Sequence, residues 1–189
     1  SELTHLQTHP NDWMVRHSRR ILQERFHANQ DMRGPRKALR DQLFDATTIP
    51  QRLRGLWALH VTGGVPDTDL SRLLHDDSPF LQQWAIRLCS ETGSQSQRWL
   101  DQFIRLSQET KSPRVRLELA CTLQRLPLPS RWRLAETLVS HAEDASDQNL
   151  PLMLWYGIEP LIGDDAKRYV DLAFNAKLSN PVSYTHLTL

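Results

Sequence analysis

The sequence lacks the short motifs through which many enzymes bind cofactors, phosphates or metals. It has only two cysteines and seven glycines, and neither cysteine lies in a CxxC or CxxCH motif. No Gly-x-Ser-x-Gly elbow, HExxH zinc motif or glycine-rich phosphate loop occurs. The sequence therefore predicts a non-enzymatic segment, with no catalytic residue, no cofactor site and no metal ligand of its own.

Charge and hydropathy argue against two further classes, dedicated nucleic-acid-binding proteins and membrane-spanning proteins. The 23 basic and 22 acidic residues leave a net charge of +1, without the basic excess that a dedicated nucleic-acid-binding protein normally carries. No run approaches the roughly 20 apolar residues that a membrane-spanning helix needs. Cys89 and Cys121 each lie inside an apolar helical pattern, which predicts two buried thiols without a disulfide.

Signals for β-strands are also scarce, whereas helical periodicity is strong. Alternating apolar runs and Asn-Gly or Asp-Gly hairpin turns are absent. Leu81, Trp84, Ala85 and Leu88 fall at positions i, i+3, i+4 and i+7, which places them on one side of a helix. This pattern predicts an all-α protein.

A helical pattern recurs along the chain, with centres near positions 19, 57, 84, 119 and 155. Spacings of about 30 to 40 residues are typical of repeats that stack pairs of helices. The sequence thus predicts a HEAT-like, armadillo-like α-solenoid of about five antiparallel helix pairs over residues 1–180. The second helix of each pair is predicted at residues 35–47, 67–75, 96–109, 131–143 and 165–177.

Helix boundaries follow from capping chemistry. Side chains able to accept a hydrogen bond from the first helical N–H groups precede the predicted helices: Ser78, Ser112, Ser130 and Asp147. Glycines mark predicted helix ends: Gly34, Gly63, Gly64, Gly93 and Gly163. Trp57, Trp84 and Trp155 share one position of the repeat and are predicted to lie in the core.

Three stretches carry a more specific similarity: residues 9–25 (HPNDWMVRHSRRILQER), 53–64 (LRGLWALHVTGG) and 147–159 (DQNLPLMLWYGIE). Together they resemble the HEAT-repeat region of the membrane-bound dehydrogenases of planctomycetes and verrucomicrobia, over about residues 5–178. Those exported proteins join a β-propeller, a helical repeat segment and a c-type haem domain with a CxxCH motif.

The resemblance implies a non-catalytic scaffold in a larger redox protein of the periplasm or cell envelope. Its partners would be the propeller and haem domains of the same longer chain, or another protein. No catalytic residue of that family can be transferred to this segment. The alternative is a free-standing HEAT-like binding protein, for a ligand such as DNA, in the manner of HEAT-like DNA glycosylases.

Candidate interaction residues lie at both ends of the repeat region. Arg16, Arg19, Arg20 and Arg25 form the densest basic cluster, suited to phosphates if DNA is the ligand, and the first three are the candidate interaction residues. Asn149 and Glu159 lie in the third resembling stretch. Glu159 either pairs with an arginine or a backbone donor of the adjacent repeat, or projects towards a partner domain.

Two groups of acidic residues leave further alternatives open. Residues 134–166 hold seven acidic residues and no Lys or Arg, which indicates a solvated acidic rim or a surface for a basic partner or a cation. The run His75-Asp76-Asp77 indicates turn and capping residues rather than metal ligands, because it falls between two predicted helices.

The end of the chain departs from the helical period, and residues 181–189 are predicted to form a non-native or disordered tail. We expect a chain that ends at Asn180 to keep its melting temperature, because the removed residues are predicted to pack on nothing. Thermal unfolding followed by circular dichroism checks this. A decrease of several degrees would show that the tail is a native element.

Overall fold

The computed structural model describes residues 2–91 and 97–176, and over these ranges it is all-α with no β-strand. The predicted fold class is therefore confirmed at the level of an all-helical protein whose helix packing is compatible with a solenoid. The chain divides into two compact units between Arg72 and Leu73. None of the described helices is long and apolar enough to cross a membrane.

Eleven α-helices occur in the described ranges. They are α1 Glu2–His5, α2 Asp12–His27, α3 Arg33–Asp45, α4 Ile49–Val61, α5 Asp67–Leu74, α6 Pro79–Glu91, α7 Gln97–Glu109, α8 Pro113–Leu123, α9 Leu128–Leu138, α10 Leu150–Ile158 and α11 Ala166–Asn175. Short 3₁₀ turns lie at Leu6–Thr8, Ala142–Ser146 and Glu159–Gly163.

In the first unit, α3 and α4 form an antiparallel hairpin that arginines hold at both ends. Arg36, in the first turn of α3, donates hydrogen bonds to the carbonyls of Thr62 and Gly64 beyond the end of α4. Arg52, in the first turn of α4, donates to the Leu43 carbonyl near the end of α3 at 2.9 Å. Each guanidinium thus satisfies carbonyls that a helix end leaves without an intrahelical partner.

Two more contacts tie parallel helices within this unit. Arg40 of α3 binds Asp69 of α5 through two hydrogen bonds of 2.6 and 2.7 Å, and Asp69 is buried. On the other side of the hairpin, the Arg19 guanidinium of α2 lies over the Trp57 ring of α4, 5.2 Å from its centroid. Both pairs join residues of alternate helices, as expected when successive hairpins pack side by side.

In the second unit, alternate helices form two layers, with α6, α8 and α10 in one layer and α7 and α9 in the other. Arg87 of α6 binds Glu118 of α8, 31 positions later, with hydrogen bonds of 3.1 and 2.9 Å. The hydroxyls of Ser107 in α7 and Thr137 in α9, 30 positions apart, lie 2.6 Å from each other. These separations agree with the repeat spacing expected from the sequence.

A buried ion pair connects α8 to the 3₁₀ turn after α9. Arg116 binds Asp144 through two short hydrogen bonds, and each side chain is only 2 % exposed. Arg116 also donates to the Thr110 carbonyl at 3.0 Å. The hydrogen bonds to Asp144 raise the pKa of Arg116, so this buried group stays charged.

The closest approach of α8 and α10 requires a glycine. A Cβ atom on Gly157 would lie 2.7 Å from the Leu123 Cβ, closer than carbon atoms can pack. Any larger residue would therefore force the two helices apart.

The predicted second helices agree with α3, α5, α7 and α11 to within about two residues, but α9 begins earlier and ends earlier than predicted. Ser130 consequently lies inside α9 and does not cap it, because Pro129 occupies the first turn, where its fixed backbone angle suits a helix start. After Leu138 the chain turns towards Asp144, which binds Arg116 from outside the helix.

The glycine predictions are partly confirmed. Gly63 and Gly64 follow the end of α4 with φ of 109° and 84°, a conformation that glycine adopts without steric cost. Gly34 lies in the first turn of α3 rather than at a helix end, whereas Gly163 ends a 3₁₀ turn. Gly93 and residues 181–189 lie outside the described residues.

The serine caps predicted at α6 and α8 are wrong, although both helices begin at the predicted prolines. The Asp76 carboxylate accepts a hydrogen bond from the Ser78 N–H at 2.9 Å, and the Thr110 hydroxyl accepts one from the Ser112 N–H. Acceptors two residues upstream thus form the turn that leads into each helix. The N-cap position of α10 is Asn149 rather than Asp147, but the Oδ1 of Asp147 accepts a hydrogen bond from the first helical N–H, that of Leu150, at 2.8 Å.

The tryptophans differ from the prediction. Trp57, Trp84 and Trp155 are only half-buried, whereas Trp99 and Trp132 are 4 % and 3 % exposed. Guanidinium groups lie over the first two of these half-buried rings, Arg19 over Trp57 and Arg87 over Trp84. A ring at the edge of a layer can be covered by a cation–π contact instead of by other apolar side chains.

The cysteines agree better with the prediction. Cys89 is buried, Cys121 is half-buried, and the two are not joined by a disulfide. Burial raises the pKa of the Cys121 thiol.

We expect Gly157→Ala to lower the free energy of unfolding by about 1 to 3 kcal/mol, because the added methyl group collides with Leu123. Gly34→Ala is the matched control, since a Cβ there would have nothing within 4 Å. Chemical denaturation of both variants measures the difference. Equal stability of the two variants would contradict the close approach of α8 and α10.

Candidate interaction surface

Three of the four arginines in the predicted basic cluster on α2 have partners, and Arg25 is exposed. The Nε of Arg16 lies 2.6 Å from Asp12, and the Nε of Arg20 lies 3.3 Å from Glu24, so both pair within their own helix. Arg19 instead lies against Trp57, and burial lowers its pKa. The structure therefore places Arg16 and Arg20 one turn apart on the surface and directs Arg19 away from them.

Most acidic residues of the stretch 134–166 have internal partners. Glu136 binds Arg168, Glu143 contacts His141, Asp144 binds Arg116, Asp164 accepts from the Trp132 indole, and Asp147 and Asp165 accept from N–H groups in the first turns of α10 and α11. The exception is Glu159, an exposed carboxylate that forms no hydrogen bond or ion pair with another described residue. The expected pairing of Glu159 inside the repeat is therefore not seen among these residues.

His75, Asp76 and Asp77 lie in the turn between α5 and α6, as the capping interpretation expects. Asp76 shapes the entry to α6 through its contact with the Ser78 N–H. In the described part of the chain, no group of three or more His, Cys, Asp or Glu side chains could hold a metal ion.

Asn149 and Glu159 flank α10 and border an exposed apolar stripe. Asn149 precedes the first residue of α10, and Glu159 follows its last residue. Leu152 and Tyr156 lie between them, 46 % and 48 % exposed. Positions 149, 152, 156 and 159 are separated by three, four and three residues, so their side chains lie along one side of the helix.

The opposite side of α10 packs against α8. Leu154 is buried, and Gly157 contacts Leu123 of α8. Because consecutive helical residues are about 100° apart, Leu152 lies about 200° around the helix from Leu154. The exposed stripe therefore faces away from the helix on which α10 packs.

Helix α11 likewise contacts a neighbouring helix on one side and exposes apolar residues on the other. Its Arg168 reaches back to Glu136 of α9 at 2.6 Å and lies 4.6 Å from the centroid of the Trp132 ring. Val170, two positions later, and Phe174, one turn further, are 46 % and 87 % exposed. These two side chains thus lie on the side of α11 that faces away from α9.

The 3₁₀ turn Glu159–Gly163 joins the two stripes. It packs against α11 and carries the exposed Ile162. Burial, with a further contribution from the negative charge of Glu159, raises the pKa of Tyr169 in α11, so the carboxylate lies near that helix. We name this surface the α10–α11 face; its residues are Leu152, Tyr156, Glu159, Ile162, Val170 and Phe174.

Sequence reasoning found Glu159 but missed the apolar part of this face. The sequence did contain a signal, because α10 (LPLMLWYGI) has apolar residues on all sides. Such a helix is typically covered on all sides, so any side that the chain leaves uncovered exposes apolar residues. In the described structure α8 is covered on two sides, by α6 and α10, whereas α10 packs on α8 and exposes the opposite stripe.

Other exposed apolar side chains are more scattered. Trp13 on α2 is 63 % exposed and stacks on His17 at 4.8 Å. Phe80 on α6 is covered on one side by the Arg114 guanidinium, 4.5 Å from the ring centroid.

Comparisons of this chain with protein-family models, with curated proteins and with solved structures gave no match.

We expect Glu159→Gln to lower the pKa of Tyr169 towards its ordinary value, because the substitution removes a nearby negative charge that disfavours the phenolate. The free energy of unfolding should change by less than about 0.5 kcal/mol, as is usual for an exposed side chain. Spectrophotometric titration of the tyrosines and chemical denaturation measure the two effects. A loss of more than about 1 kcal/mol would indicate an internal partner for Glu159.

Proposed function

We propose that this chain is a non-catalytic helical scaffold segment that binds a neighbouring domain or protein through the α10–α11 face. The observation that carries the proposal is the concentration of exposed apolar side chains there, with Phe174 87 % exposed. Exposed apolar surface of this kind, edged by polar groups, marks interaction sites in soluble proteins.

The family resemblance supplies the context of the proposal. Residues 147–159, one of the three stretches that resemble the dehydrogenases, cover α10 and include Asn149 and Glu159. In this account the segment belongs to a larger exported redox protein of the cell envelope. A β-propeller elsewhere in that protein would carry the dehydrogenase chemistry, and a c-type haem domain would carry electrons. The scaffold would hold these two domains in position and bind no cofactor itself.

DNA binding by a free-standing protein is the weaker alternative. Arg16 and Arg20 each have an acidic partner one turn away, which reduces their capacity to neutralise phosphates. The near-zero net charge also argues against DNA binding.

The reading frame of the intact gene and a binding experiment test the proposal. We expect the gene to encode a propeller and a CxxCH domain, and at least one of these, expressed separately, to bind this chain. Replacing both Tyr156 and Phe174 with serine should weaken that binding at least about tenfold in calorimetry, because interface aromatics dominate binding energy.

Trp13→Ser is the matched control, since Trp13 is a similarly exposed aromatic outside the α10–α11 face. A gene that encodes only a protein of about this length, or domain binding that the serine substitutions leave unchanged, would contradict the proposal. Tight retention of duplex DNA at physiological salt would favour the alternative.

A further inference from the structure

The interfaces between neighbouring helices share a charge rule. An arginine of one helix meets a carboxylate of the next parallel helix in several interfaces: Arg54 with Asp12, Arg40 with Asp69, Arg87 with Glu118, Arg133 with Asp101, and Arg168 with Glu136. Apolar side chains fill the remaining contact area, with Leu119, Leu123 and Leu154 fully or almost fully buried. Most interfaces between parallel neighbouring helices in the described ranges therefore combine an apolar strip with a guanidinium–carboxylate pair, whereas the α8–α10 interface is apolar.

The α10–α11 face has one half of such an interface. It offers apolar side chains from two successive helices and the exposed carboxylate of Glu159, and the exposed Lys167 lies on the same side of α11 as Val170 and Phe174. Glu159 is also the one acidic residue of the stretch 134–166 whose carboxylate has no partner among the described residues. The face thus combines an apolar strip with a carboxylate, that of Glu159, which no described cation pairs with.

The position of the face within the helix layers also indicates what kind of partner it binds. In the layer of α6, α8 and α10, the middle helix is covered by a parallel neighbour on each side. Leu152 and Tyr156 lie on the side of α10 opposite to α8, and Val170 and Phe174 lie on the side of α11 opposite to the contact of Arg168 with Glu136. A helix pair placed there would continue both layers, as the interfaces already present do.

We propose that the α10–α11 face binds an amphipathic helix pair that presents an apolar stripe and an arginine or lysine opposite Glu159. This proposal rests on the proposed function of the chain as an interaction segment and specifies its partner chemistry.

Two synthetic peptides test the charge rule on the full chain. Both are helical hairpins with the same leucine stripe, and they differ only in a single arginine or glutamate placed beside that stripe. We expect the arginine peptide to bind the wild-type chain at least about fivefold more tightly than the glutamate peptide, since like charges in an interface repel. Glu159→Gln should remove most of this difference while leaving the fold unchanged.

Phe174→Ser should weaken binding of the arginine peptide about tenfold, whereas Trp13→Ser should leave it unchanged. The inference would be overturned if Phe174→Ser and Trp13→Ser weakened binding of the arginine peptide equally. It would also be overturned if Glu159→Gln still bound the arginine peptide more tightly than the glutamate peptide. Failure of both peptides to bind, or a dimer of the chain in sedimentation equilibrium that Phe174→Ser dissociates, would overturn it as well.

The outcomes separate this inference from the proposed function. If the propeller or haem domain binds the chain but neither peptide does, the partner chemistry is wrong and the scaffold function stands. If the arginine peptide binds as expected but the gene encodes neither domain, the redox context is wrong and the helix-pair partner stands.

Discussion

Guanidinium–carboxylate pairs between neighbouring helices determine which residues of this protein face each other. Arg116 and Asp144 are each only 2 % exposed, and a buried charge is costly unless an opposite charge with good hydrogen-bond geometry meets it. A shift of α8 by one residue would turn Arg116 about 100° away and leave both groups buried and unpaired. Apolar packing alone tolerates small sliding movements, because one leucine can replace another in a contact. The ion pairs therefore fix the positions of the helices, while the apolar layers supply most of the stability.

This constraint also explains the surface that is proposed to bind a partner. Arginine side chains already pair with the acidic residues of the inner interfaces, such as Glu118 and Glu136. What remains on the α10–α11 face is an apolar surface with one exposed carboxylate, Glu159. The α2 helix differs, because Arg16 and Arg20 pair with acids of the same helix and Arg19 lies over the Trp57 ring, which leaves Arg25 as its remaining exposed arginine. The proposed function follows from this contrast between paired and unpaired charges.

Local chemistry in the sequence predicts the helices better than it predicts their contacts. Pro79 and Pro113 identify the starts of α6 and α8, and the repeat spacing identifies the all-α class. Periodicity could not show that Trp155 would be only half-buried, because it assigns a residue to a side of a helix without showing which neighbour covers that side. The same limit applies to the site. Glu159 was recognisable as a carboxylate in an apolar run, whereas the exposure of Phe174 depends on the three-dimensional placement of α11.

The most direct measurement is a double-mutant cycle on the buried ion pair, with Arg116→Met, Asp144→Leu and both together, followed by chemical denaturation. If the pair fixes the contact between α8 and the turn after α9, each single substitution should lower the free energy of unfolding by about 3 to 5 kcal/mol, since it leaves one buried charge unpaired. The double variant should return to within about 1 kcal/mol of the wild type, since two apolar side chains of similar volume can replace the pair. Single variants as stable as the wild type, or a double variant whose loss equals the sum of the two, would contradict the account.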